Sequence, residues 1–65
     1  MLRIRPYVYR KKAGFTLSGT DVFGNDVNIF SSNRDELIVI REVLNGKLKL
    51  SRKRAYDLVG EKLRG

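Results

Sequence analysis

Cysteine and histidine are both absent from this chain of 65 residues. Without cysteine, neither a disulfide framework nor a thiolate zinc site can supplement a small core, and a reducing interior is the expected setting. Without histidine, the commonest general base, neutral-pH switch and transition-metal ligand are lost together. The chain therefore reads as a non-enzyme with no cofactor, no metal and no small-molecule substrate. It also lacks any apolar run of the roughly 18 residues that a membrane span needs. Met1-Leu2-Arg3-Ile4-Arg5 alternates and does not form the apolar block of a signal peptide. A cytoplasmic, nucleoid-associated protein is expected.

What is present is positive charge. Lys and Arg number 14 against 7 Asp and Glu, a net charge of +7, and the pI is about 10.3. Such a balance suggests a polyanionic partner. At 65 residues the chain is one domain, residues 1–65, with a thin core. Hydrophobic residues make up 42% of it, too many for a disordered polycation, so a fold is expected.

Leu2, Ile4, Pro6 and Val8 alternate with Arg3, Arg5, Tyr7 and Tyr9, the period of a half-buried strand over about residues 2–10. The lone proline places that strand at a sheet edge. Arg10-Lys11-Lys12-Ala13-Gly14 reads as a basic hairpin loop. A second strand is expected over about 15–23, with a bulge at Gly19-Thr20 because Val22 and Phe23 fall out of phase with Leu17. Phe23-Gly24-Asn25-Asp26, with Gly-Asn at its centre, signals a tight turn into a third strand over 27–31. That strand puts Val27 and Ile29 inward and Asn28 and Phe30 outward.

Asn33 followed by Glu36 has helix-start chemistry, and Asn45-Gly46 is a stop, which predicts a helix over about 34–45. Leu37, Val39, Ile40, Val43 and Leu44 fall within an arc of about 160° suited to covering a sheet face. Ile38 lies outside that arc, covered by the next helix through Tyr56 or Leu63 or used in a homodimer contact. Lys47 to Leu50 reads as a connector in preference to an edge strand. Ser51 caps a second helix over about 52–64, with Ala55, Tyr56, Leu58, Val59 and Leu63 apolar. The fold class is α+β: a three-stranded antiparallel sheet packed by one helix, followed by a second, basic helix.

The candidate site is nucleic-acid-binding. Arg3, Arg5, Tyr7 and Tyr9 share the outward sheet face with Thr16, Ser18, Asn28 and Phe30. Arg forks to phosphate or guanine, Ser, Thr and Asn reach base edges, and aromatic rings stack on bases. The alternative for the same residues is an aromatic cross-strand cluster with solvated arginines. Arg10, Lys11 and Lys12 at the hairpin tip could reach a phosphate backbone, and Lys47 and Lys49 add charge on the connector. Arg52, Lys53 and Arg54 stand in the first turn of the second helix against its dipole, a mismatch that a bound phosphate reverses. The alternative there is solvation, with Lys53 paired to Asp57. Asp21, Asp26, Asp35 and Glu36 as a metal-dependent nuclease cluster would need converging carboxylates, but they show no metal-ligand spacing; Asp26 is assigned to a turn and Asp35 and Glu36 to a helix start.

Three strands followed by a covering helix, with a basic sheet face, resembles the small DNA-binding domains of phage integrase N-termini and of the plant AP2 family. Arg54-Ala55-Tyr56-Asp57 and Arg64-Gly65 are similar to the AP2 helix and its exit, although here a predicted helix precedes them. The resemblance covers the architecture of about residues 2–45. It implies a phage-like or viral accessory or regulatory factor that binds double-stranded DNA, with Arg3, Arg5, Tyr7, Thr16, Ser18 and Asn28 as contacts. Two other readings stand beside it. One is a helix-turn-helix-like use of Arg52 to Tyr56. The other is a protein-binding module or inhibitor acting through its edge strand or its helix surface.

Overall fold

Alternation of side chains from Leu2 onward builds strand β1 (Arg3–Tyr9), which turns back into β2 (Lys12–Thr20) and then β3 (Asp26–Ser31). Helices α1 (Arg34–Leu44) and α2 (Arg52–Arg64) follow. The structure, a computed structural model, describes residues 1–64 and the side chains of residues 1–63. Of the Arg64-Gly65 exit, Gly65 and the Arg64 side chain lie outside that description. The strands form one antiparallel sheet in the order β1-β2-β3, so the fold is the expected α+β meander with two helices. Pro6 sits in an edge strand, where a residue without an N–H is tolerated.

The strand boundaries depart from expectation at three places. The first turn is not a five-residue loop: it consists of Arg10 and Lys11, with φ of 49° and 66°, and Tyr9 already pairs with Lys12. Positive φ at both central residues gives the turn whose twist matches that of the flanking strands. No bulge occurs at Gly19-Thr20. The β2–β3 register is unbroken from Phe15 opposite Ser31 to Thr20 opposite Asp26, and the space left by the missing Gly19 side chain is taken by the Met1 backbone. Finally, β2 ends at Thr20 and not at Phe23. Val22 and Phe23 are out of phase because they are the centre of a turn that the Gly24 N–H closes onto the Asp21 carbonyl at 3.1 Å, so the turn is not centred on Gly24-Asn25.

Local chemistry sets the helix ends. The Asn33 carboxamide oxygen accepts from the Asp35 and Glu36 N–H groups at 3.0 and 3.4 Å. After Asn45, the Gly46 N–H donates to Val43 at 3.3 Å and the Lys47 N–H to Glu42 at 3.2 Å, the paired bonds that close a helix whose next residue is left-handed. Lys47 to Leu50 is a connector, with Lys49 at φ 51°.

The core joins Leu2, Leu17 and Val27 of the sheet side to Leu37, Ile40, Val43 and Leu44 of α1 and to Ala55 and Val59 of α2. Each fully buried leucine contributes about 1.5–3 kcal/mol of transfer free energy. α1 packs on all three strands, whereas α2 packs on α1 alone among the elements. Val39, expected inward, is 41% exposed at the rim of the α1–α2 contact, and Leu63 is 46% exposed, one turn beyond buried Val59. Ile38 is half-buried.

Helix length decides how much of the sheet is covered. The 11 residues of α1 rise about 16 Å, while the nine residues of β2 extend about 30 Å. Leu2, Ile4, Pro6 and Val8 share one side of β1, but only Leu2 and Ile4 pack into the core. Val8 is 65% exposed.

Candidate nucleic-acid interface

Directly opposed residues of antiparallel strands share a face. The register places Arg3, Ser18 and Asn28 in one row across the sheet and Arg5, Thr16 and Phe30 in the next. Alternation adds Tyr7 and Tyr9. This is the side away from α1, and Tyr7, Tyr9, Thr16, Ser18, Asn28 and Phe30 line a single shallow cleft on it. Arg3 and Arg5 are exposed beside that cleft. The acid on this face is Asp26, at one end, where its carboxylate accepts from the Thr20 hydroxyl at 3.5 Å.

Three aromatic rings interlock at the other end. Phe30 lies 6.2 Å from Tyr7, edge-on at 70°, and 5.8 Å from Tyr9, tilted at 49°. The Arg10 guanidinium carbon is 5.4 Å from the centre of the Tyr9 ring, within cation–π range. The cross-strand cluster of Tyr7, Tyr9 and Phe30, the alternative given for this face, is therefore formed, with Phe30 at its centre. Gly14 makes it possible. A β-carbon there would stand 2.7 Å from the Phe30 ring and 2.8 Å from the Ser31 carbonyl oxygen. Replacing Gly14 with Ala is expected to push Phe30 off the strand and cost about 2 kcal/mol, as overpacking does. Thermal melts together with the ring-current shifts of Tyr7 and Tyr9 measure this, and unchanged shifts would count against the packing described.

Asp26, at the end of this face, also borders α2. Arg52 and Lys53 line a groove with Asn25, Asp26 and Tyr56. Arg54 points elsewhere, into a groove with Asp57, Leu58 and Glu61. The structure thus assembles Arg3, Arg5, Tyr7, Tyr9, Thr16, Ser18 and Asn28, with Arg10, Lys11 and Lys12 at one end and Arg52 and Lys53 at the other. Arg54 is separated from this set. Lys47 and Lys49 lie on the connector, where Leu48 lines a crevice between the helices.

Asp21, given no role from the sequence, holds this end together. It is 6% exposed. One carboxylate oxygen accepts from the Phe23 and Asn25 N–H groups, each at 2.9 Å, and the other accepts from the Tyr56 hydroxyl. The Asn25 side-chain amide donates to the Tyr56 oxygen at 3.3 Å. Burial alone would raise the Asp21 pKa. The Tyr56 hydroxyl, the two N–H groups and the nearby Arg52 charge outweigh it, and the carboxyl sits below its ordinary value. Tyr56 is pushed up by burial and by donation to Asp21. An Asp two residues before Phe and four before Asn is the available signal, since Asp bonds the backbone N–H two residues on; the tyrosine partner, 35 residues away, leaves none. Among the described residues no three His, Cys, Asp or Glu side chains converge as a metal site, and no helix is long and apolar enough to cross a membrane. No family model, curated protein or solved structure matches this chain.

Proposed function

We propose that the chain is a non-enzymatic nucleic-acid-binding protein, an accessory or regulatory factor, and that the sheet face opposite α1 is its contact surface. One observation carries the reading: the side of the sheet that the chain leaves open is the side that collects Arg3, Arg5, Tyr7, Tyr9, Thr16, Ser18 and Asn28. Cations on a rigid sheet neutralise phosphates and release counterions, while hydroxyl and amide groups between them reach base edges. Arg52 and Lys53 extend the positive surface past Asp26. The resemblance to three-stranded-sheet DNA-binding domains points the same way.

The test is a salt titration of binding to duplex DNA, single-stranded DNA and RNA of equal length. Replacing Arg3 and Arg5 with Ala should weaken binding and lower the slope of log K against log salt by about 1.8 on duplex DNA, at roughly 0.9 per phosphate contact. Stability should change by no more than about 0.5 kcal/mol, as for other exposed positions. Unchanged affinity with a lowered melting temperature would make the face structural.

A second reading, a protein-binding module, is favoured by the apolar crevice between α1 and α2, where Val39, Leu48 and Leu58 stand beside Lys62. A tight protein partner with salt-insensitive affinity would select it.

A further inference from the structure

The third strand ends at Ser31, opposite Phe15, which pairs with Pro6. Beyond that row only two strands remain. Tyr7 pairs with Gly14, Val8 with Ala13 and Tyr9 with Lys12, closed by the Arg10-Lys11 turn. Three residue pairs and a turn make an arm on the order of 12 Å long. On one side Tyr7 and Tyr9 are 49% and 48% exposed, with the Phe30 ring packed against them over Gly14, and on the other Val8 is 65% exposed beside exposed Ala13.

We propose that this arm enters the major groove of B-form double-stranded DNA with Arg10, Lys11 and Lys12 leading. The inference rests on the nucleic-acid-binding reading above and names the kind of nucleic acid. Width is the first argument. A two-stranded ribbon fits a groove about 12 Å across, as in B-DNA, whereas the A-form RNA major groove is deep and narrow and closed to side chains. The turn is the second. Its two positive-φ positions are those that Asn-Gly fills most readily, yet they hold Arg10 and Lys11, so the farthest point of the arm carries charge at the expense of turn preference. The rings are the third. Tyr9 is tilted against Phe30 and has the Arg10 guanidinium over its face, which leaves it poorly placed to stack on a base of a single strand. Val8 and Ala13 are then the apolar side chains that would meet thymine methyl groups.

The test uses duplex DNA, duplex RNA and single-stranded DNA of one sequence and length, at one salt concentration, with the full chain. Wild type should bind duplex DNA about tenfold or more tightly than either competitor, the scale of one good groove contact. Combining Arg10→Asn with Lys11→Gly keeps the turn geometry, so the melting temperature should not fall. The preference should nonetheless collapse and the salt slope on duplex DNA should drop by about 1.8. Val8 is away from the outer face, so only an inserted arm brings it to the DNA. Val8→Glu should weaken duplex binding by about tenfold or more, while Leu48→Glu on the connector, the same charge change, should cost no more than about twofold. Equal binding of duplex RNA, tighter binding of the single strand, or a silent Val8→Glu would each overturn the arm proposal. In those cases the sheet-face reading stands if the Arg3 and Arg5 variant is weakened. Failure of wild type to bind any of the three probes would overturn the sheet-face reading itself.

Discussion

Replacing Asp21 with Ala is expected to lower stability by about 3 kcal/mol, because it strips the acceptor from three donors at once and unsatisfied buried donors cost about 1–3 kcal/mol. Those donors are the Tyr56 hydroxyl and the N–H groups of Phe23 and Asn25. A chain of 65 residues has a total stability of roughly 3–10 kcal/mol, so a large share of it would go. The melting temperature of a domain this size should fall by roughly 12–24 °C. Tyr56→Phe keeps the ring against Phe23, 6.2 Å away, and removes two bonds, the one donated to Asp21 and the one accepted from the Asn25 amide, so it should cost about 1–2 kcal/mol. If both variants melt with wild type, the link from the β2–β3 turn to α2 does not hold the fold together.

The same pair sets the pH window. The Asp21 pKa in the fold lies below its ordinary 3.8, so its stabilisation is fully present above that value and drains away as pH falls through the folded value. The Tyr56 pKa lies above its ordinary 10.0, so its stabilisation is complete below that value and is lost as pH rises through the folded one. Denaturant melts of Asp21→Asn across the acid range should show a flatter acid limb than wild type. An identical limb would place the titrating carboxylate elsewhere.

The largest effect on binding is expected from joining the two ends of the proposed surface. Arg3 and Arg5 to Ala together with Arg52 and Lys53 to Gln should lower the duplex salt slope by about 3.6, twice the change from either pair, if one nucleic acid spans both. Removing Arg52 and Lys53 relieves a wrong-signed helix terminus, worth about 0.3–1 kcal/mol per charge. It also takes from Asp21 the Arg52 charge that helps to keep it ionised. The two effects oppose, so stability should move by less than about 1 kcal/mol. Arg54→Gln is the internal control, since Arg54 faces Asp57 and Glu61 and not the Asp26 groove. A four-residue variant no weaker than the Arg3 and Arg5 pair would confine the footprint to the sheet.

Much of the architecture was legible in the chain because it depends on neighbours in sequence. Asn33, Asn45-Gly46 and Ser51 bond backbone groups within a few residues of themselves, which is why both helices run within one residue of expectation. The two-residue alternation of β1 likewise assigned Arg3, Arg5, Tyr7 and Tyr9 to one side before any partner strand was known. The excess of 14 cations over 7 acids and the absence of cysteine and histidine need no fold at all. Tertiary structure alone decided the rest. Gly14 and Gly19 read as loop and bulge signals until Phe30 and the Met1 backbone are seen to fill the space above them. Val8 reads as core by its phase, and becomes surface because α1 is shorter than the sheet it covers. Arg52, Lys53 and Arg54 are one run in sequence but divide between two grooves, since successive helix residues turn by about 100°. Asp21 has no assigned role until folding brings Tyr56 to its carboxylate, a meeting that depends on how two distant segments pack and leaves no trace in local spacing.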